Sequence, residues 1–177
     1  MKKIVVFFAA CVLAISALAQ VEHKVAKYPN GKLRYEGDFK DGKPVGELRR
    51  YHENGQLSGV QTFDEIGNST VVCYAGTGDM LAEGQYKGQK RQGFWKFYGE
   101  GEYLFMIENY QDGLRIGETL ILSKEGKVLQ RMNYKEGKEE VMNDAVFHVI
   151  EIFELYWGKR LLQALSIIHK LAYIEPD

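Results

Sequence analysis

Five times in this chain an apolar residue is followed six positions later by an aromatic ring: Leu33/Phe39, Leu57/Phe63, Met80/Tyr86, Leu104/Tyr110 and Val128/Tyr134. Successive pairs lie 24, 23, 24 and 24 residues apart. A fixed period of that size marks a stacked repeat, because a unit so short cannot bury its own apolar face and must borrow a neighbour's. Arrays of this kind are binding or scaffolding surfaces more often than they are pockets.

The first unit, Tyr28 to Leu48, shows what each repeat is made of. Leu33, Tyr35, Gly37 and Phe39 alternate with Arg34, Glu36 and Asp38, the period of two expected of a strand with one apolar face. Turn signals stand on both sides. Asn30-Gly31 is the dipeptide that best supplies the two positive φ angles of a type I′ hairpin turn, and Lys40-Asp41-Gly42-Lys43 is a second turn. The plan recurs with decay. Unit two repeats Asn54-Gly55, but Asp64 to Ser69 has lost the glycine spacing and reads as a longer loop. Units three to five keep Gly78 and Tyr86-Lys87-Gly88, then Gly101 and Tyr110-Gln111-Asp112-Gly113, then Gly126 and Tyr134-Lys135-Glu136-Gly137. Each unit is therefore one antiparallel hairpin, marginal alone and stabilised by stacking.

These residues resemble the bacterial variant form of the MORN repeat. Its Asn-Gly-x-Leu opening stands at Asn30-Gly31-Lys32-Leu33 and Asn54-Gly55-Gln56-Leu57. Its Gly-x-Tyr/Phe-Lys-Asp-Gly centre stands at Gly37-Asp38-Phe39-Lys40-Asp41-Gly42, and one residue shorter at Gly84-Gln85-Tyr86-Lys87-Gly88. The Gly-x-Trp-x-x-Tyr close is complete only at Gly93-Phe94-Trp95-Lys96-Phe97-Tyr98. The resemblance covers residues 28 to 138. It implies a mainly β chain, an elongated, twisted antiparallel sheet of about five consecutive β-hairpin repeats, with no catalytic residue. Members of the family serve as protein–protein or membrane-proximal scaffolds, and some bacterial members carry an antitoxin label. A competing repeat, the choline-binding hairpin of cell-wall proteins, needs paired aromatics in every unit to box a quaternary ammonium. Trp95 is the only tryptophan in this array, which argues against it.

Outside the array the composition changes twice. Residues 1–19 combine a Lys2-Lys3 start, an uncharged apolar run from Ile4 to Ile15 and an Ala17-Leu18-Ala19 exit. That is the pattern of a secretory signal peptide cleaved before Gln20, so the expected address is export to the periplasm or beyond. No cysteine sits at the cleavage point, so a lipid-anchored start is not expected. Residues 20–27 read as an N-terminal lead-in and 28–140 as the repeat array. From 141 to 177 glycine is confined to Gly158, and polar residues recur at three- or four-residue steps among apolar ones. This is a helical segment with a wide apolar face, broken at Gly158 and capped at Asn143 or Asp144. It is expected to cover an open sheet edge or face; the alternatives are a partner-binding helix and a tail left by a truncated array.

Charge and chemistry exclude more than they select. Lys and Arg total 23 against 24 Asp and Glu, a net −1; removal of Lys2 and Lys3 leaves 21 basic residues and −3. A nucleic-acid partner is therefore not expected. Cys73 is the one cysteine after residue 19 and reads as a small apolar strand residue, not a disulfide partner. The four histidines are scattered, no metal-ligand spacing occurs, and carboxylates alternate with apolar residues as on a solvated face. No catalytic, cofactor-binding or metal-binding residue is assigned, and no small-molecule substrate is expected. Aromatics on one sheet face are expected to stack on neighbours and form the core; the alternative is a stripe presented to a partner, and the candidate partner-binding surface is then Tyr35, Tyr51, Trp95, Tyr98 and Tyr103. The function expected is that of a non-enzymatic exported repeat protein, a protein-binding or scaffolding surface at the cell envelope. The alternatives are an antitoxin-like neutraliser and a membrane-surface module working through the C-terminal helices.

Overall fold

A computed structural model describes residues 20–140 and 158–172. Twelve strands make one antiparallel sheet in which sequence neighbours are spatial neighbours. The edge strand β1 (Val21–Lys27) is followed by five hairpins. They are β2 (Leu33–Lys40) with β3 (Lys43–Tyr51), β4 (Leu57–Phe63) with β5 (Ser69–Tyr74), and β6 (Met80–Lys87) with β7 (Lys90–Tyr98). The fourth pairs β8 (Leu104–Gln111) with β9 (Leu114–Arg115) and β10 (Gly117–Leu122), and the fifth joins β11 (Val128–Lys135) to β12 (Lys138–Glu140). The first member of every apolar–aromatic pair thus opens the first strand of a hairpin. Four of the five aromatic partners, Phe39, Tyr86, Tyr110 and Tyr134, are buried. The segment expected as a lead-in is itself β1, paired along β2 from Val21 opposite Lys40 to Lys27 opposite Leu33.

Two kinds of turn alternate, at opposite ends of the strands. Asp41 and Gly42 have φ of 52° and 74°, the consecutive positive pair of a type I′ turn. Asp112-Gly113 and Glu136-Gly137 repeat it. Asn30-Gly31 does not, against the expectation from the dipeptide. There only Gly31 has a positive φ, 81°. The Gly31 N–H donates to the Tyr28 carbonyl at 2.9 Å, and the Tyr28 N–H to that of Lys32 at 2.8 Å. This is a three-residue loop, a type I turn closed by one left-handed residue. Pro29 presets the negative φ such a turn needs, and Asn30 Oδ1 accepts from the Lys32 N–H at 3.0 Å. The segment expected as a longer loop in unit two closes in the same way, with the Asp64 N–H donating to the Asn68 carbonyl at 2.9 Å. Two Asp64 Oδ1 bonds, from the N–H groups of Ile66 and Asn68 at 3.0 and 2.8 Å, hold it.

The five loops that follow β1, β3, β5, β7 and β10 each leave a bulge behind them, whereas β4 and β5 pair without a shift across the Asp64 loop. Arg34, Ser58, Leu81, Phe105 and Leu129 fall where the register shifts, and bulges re-aim side chains. Leu81 with Ala82, and Phe105 with Met106, are accordingly buried as adjacent residues. The loops are also stitched to one another. The Tyr28 hydroxyl donates to the Tyr51 carbonyl (2.7 Å), Asn30 Nδ2 to that of Glu53 (3.0 Å) and Asn54 Nδ2 to that of Gly76 (2.8 Å). The repeat spacing that packs strand on strand therefore also places loop against loop.

Helix α1 (Gly158–Ala172) lies across β4, β5, β6 and β7. Its Ala164, Ile167 and Ile168 enter one cluster with Val71, Cys73, Ala82, Trp95, Phe97 and Met106. The Tyr86 hydroxyl donates to the Ile168 carbonyl at 3.0 Å, and Arg160 Nη1 lies 3.6 Å from Asp79 Oδ2. Of the roles expected for the C-terminal segment, this helix covers a sheet face. Gly158, expected as a break, is its first residue. The expected signal peptide and the caps at Asn143 and Asp144 lie outside the described residues. No helix among the described residues is long and apolar enough to cross a membrane.

Cys73 is fully buried in this cluster, and burial pushes its thiol up to about 12. The thiolate is the reactive form. Native protein at neutral pH is therefore expected to resist a thiol-specific reagent, with labelling gated by unfolding and accelerating with urea. Stoichiometric labelling within the mixing time in buffer alone would contradict this placement.

Candidate functional site

Register assigns every side chain to a face, since residues directly opposite on antiparallel strands point the same way. Trp95 opposes Glu108 and Phe97 opposes Met106; Ala82 opposes Phe97. These define the face under α1. The other face carries Glu83 opposite Lys96 and Glu36 opposite Arg49.

The five aromatic residues expected as one surface are dispersed by this geometry. Trp95 has no exposed surface. It is the centre of the core and does not present itself to a partner. Tyr35 is half-buried on the same face of the sheet, its ring 6.3 Å from Phe39. Tyr103 sits half-buried in a loop and packs on the core cluster. Tyr51 and Tyr98 occupy the opposite face in equivalent settings two units apart. The Tyr51 hydroxyl donates to Glu36 Oε1 at 2.5 Å, and that of Tyr98 to Glu83 Oε1 at 2.9 Å. Lys96 Nζ also donates to Glu83, at 2.8 Å. That bond, ahead of the others, holds the Glu83 carboxyl below its ordinary range. Burial, then the hydrogen bond to Glu83, raises Tyr98. Two of the five residues thus share a face and an electrostatic role, and the other three do not join them. Phe94, which is 64% exposed, lies on the strand of Tyr98, opposite Asn109, and was not singled out from sequence.

Under α1, a second arrangement stands at the two-residue-turn end of units three and four, beside Gly88-Gln89 and Asp112-Gly113. The Arg91 guanidinium lies 4.8 Å from the Trp95 ring centre and 5.1 Å from that of Tyr110. Its Nη1 donates to the Tyr110 hydroxyl at 2.8 Å. Arg115 stacks 4.3 Å from the Tyr134 ring and reaches Glu108 Oε1 at 3.3 Å. Tyr110 in turn donates to Glu108 Oε2 at 2.7 Å. Burial first, then the Glu108 charge, drives the Tyr110 phenol well above its ordinary value. Burial likewise pushes Tyr86 up to about 12, against the pull of Arg91. These phenols stay protonated donors at any physiological pH. Glu108 is 5% exposed, so the expectation that carboxylates line a solvated face fails there. The strand alternation put it on the apolar side, and the Arg115–Tyr110 pair supplies the partners a buried carboxylate requires.

A cleft of about 470 Å³ opens beside this arrangement, lined by Tyr86, Gln89, Lys90, Arg91, Tyr110, Gly113, Leu114, Arg115, Gly137 and Ile168. A neighbouring cleft of about 500 Å³, whose lining carries one acidic and one basic residue, Asp64 and Lys87, shares Tyr86 with it. The sequence contains a signal for the first that periodicity exposes: Arg91 and Arg115 lie 24 residues apart, the period of the array itself. Among the described residues no group of three or more His, Cys, Asp and Glu could hold a metal ion.

A family model described as the MORN repeat variant matches residues 26–41 and 44–65. The match supports reading the array as MORN repeats. It rests on the first two units, and the structure carries the hairpin plan on to Lys138, with the loop-and-bulge at each later unit and the I′ turn again at Asp112-Gly113 and Glu136-Gly137. No curated protein matches the chain.

Proposed function

We propose that this chain is a non-enzymatic binding protein, exported after removal of residues 1–19, whose stacked hairpins present a protein-docking surface at the cell envelope. The observation that carries the reading is the use made of polar groups on the open face. His23 is bonded to Asp38 at 2.7 Å, Tyr51 to Glu36, Tyr98 and Lys96 to Glu83, and Arg131 to Glu118 at 2.7 Å. Exposed ion pairs of this kind contribute only ~0–1 kcal/mol each to stability. Their effect is a repeating, ordered polar surface with exposed Val21, Val25 and Phe94 set in it. MORN repeats are in general binding modules, which agrees with this use. The first strand opens at Val21, so cleavage before Gln20 would leave the sheet whole.

Two measurements test the reading together. Mass spectrometry of the protein from its own cells is expected to find Gln20 at the mature N-terminus, in the envelope or exported fraction. A photo-crosslinking amino acid at Phe94 is expected to capture a discrete protein there. An intact Met1 in the cytosol would overturn the address, and absence of any crosslinked adduct would overturn the docking surface.

A further inference from the structure

We propose that the cleft under the end of α1 is a docking site for a carboxylate-bearing, Asp- or Glu-containing segment of a partner protein; this deepens the protein-binding reading above and rests on it. Three cationic side chains, Lys90, Arg91 and Arg115, line one cleft of about 470 Å³ in a chain whose overall charge is −1. A concentrated positive site on a mildly acidic protein selects its partner by local complementarity instead of by general attraction. Glu108 neutralises one of the three charges through Arg115, and the remainder is positive. Among nearby acidic residues, Asp112, Glu136 and Glu139 stand on the adjoining turns and on β12, and none of them lines the cleft.

The two guanidiniums are also held in place before any ligand arrives. Arg91 lies against the Trp95 and Tyr110 rings, and Arg115 over that of Tyr134. Arg91 bonds the Tyr110 hydroxyl and Tyr86, and Arg115 bonds Glu108, whereas a guanidinium carries five N–H donors. Stacking on ring faces leaves the edge donors for a planar acceptor, and pre-positioning lowers the ordering cost of binding. Lys90 is exposed at the rim, its stem 3.6 Å from where a Cβ on Gly113 would stand. The remaining walls fit a peptide. Leu114 is 51% exposed and offers apolar surface to the methylenes of an acidic side chain. The volume suits a few side chains. It does not suit a nucleic-acid duplex, whose affinity depends on many phosphate contacts spread along a basic face.

The test uses the full mature chain and a synthetic peptide of alternating Glu and Gly, with its Gln counterpart as control, read by fluorescence anisotropy. The Glu peptide is expected to bind, to weaken with added salt, and to exceed the Gln peptide by at least about tenfold, the range of one well-placed charge pair. Lys90→Glu and, separately, Arg115→Gln are expected to reduce that affinity by about tenfold or more with an unchanged circular dichroism spectrum. Phe94→Ser on the opposite face should leave it unaltered. Equal binding of the two peptides, binding of neither, or an affinity indifferent to Lys90→Glu would overturn the site. So would Lys90-dependent binding of phosphatidylserine vesicles without binding of the Glu peptide. The two proposals fail separately. Loss of peptide binding with the Phe94 crosslink retained removes this site alone, and the converse removes the open-face surface alone.

Discussion

Trp95→Ala is expected to destabilise the protein by about 3–5 kcal/mol, the range for truncating a large buried aromatic. Trp95 has no exposed surface. Tyr86 meets it edge-on at 5.2 Å and Tyr110 at 6.4 Å, Arg91 stacks on it at 4.8 Å, and its Nε1–H donates to the Gln85 carbonyl at 3.2 Å. Removing the indole opens a void beneath a helix, where backbone on both sides limits collapse, and it leaves the Gln85 carbonyl without that donor. The cost should therefore sit toward the upper end of the range. Urea unfolding followed by circular dichroism reads it as a drop in midpoint with little change in slope. A loss below about 1.5 kcal/mol, the size of a well-tolerated core swap, would mean that Trp95 is not the centre of the core.

The second large effect comes from its neighbour across the strand pair. A Cβ added at Gly84 would stand 2.2, 2.3 and 2.7 Å from three ring atoms of Trp95. Gly84 is not among the positive-φ glycines, so the backbone would accept alanine and only the contact forbids it. The ring is enclosed and cannot swing away, so Gly84→Ala is expected to cost about 1–3 kcal/mol or more through overpacking. The two substitutions should be strongly non-additive. In a Trp95→Ala background the obstacle is gone, and Gly84→Ala should become neutral or slightly stabilising, as alanine generally is over glycine in a strand interior. Additive losses in that double-mutant cycle would contradict the packing described.

Gly84 also shows how far the sequence could be read. The alternation of Leu33, Tyr35, Gly37 and Phe39 and its recurrences are local, so the hairpins, their number and their order followed from the pleat and from turn chemistry. The type of turn at Asn30-Gly31 did not. Whether the dipeptide forms the whole loop or only part of it depends on which flanking residues pair, and Tyr28 pairs with Lys32. The fate of Trp95 was hidden for a different reason. Alternation tells which residues share a face but not what lies over that face, and the cover comes from α1, more than sixty positions along the chain. Trp95 therefore stood between core and partner surface in a single-layer reading and is core in the two-layer sheet. Glu108 and Arg115 were missed by the same logic: a carboxylate in an alternating strand looks solvated until the covered face is known. Tyr51 and Tyr98 do face outward, where their hydroxyls meet Glu36 and Glu83 on the adjacent strand, a pairing that needs the register to be seen.

The claim on which everything else depends is that the 24-residue period builds one continuous sheet, hairpin beside hairpin. Cross-strand nuclear Overhauser contacts in the mature protein test it most directly. They are expected to link Val60 to Val72, Val72 to Glu83, Trp95 to Glu108 and Thr119 to Met132, each pair directly opposed in the register. Contacts that skip a hairpin, or hairpins with internal contacts but none between Val72 and Glu83, would contradict it.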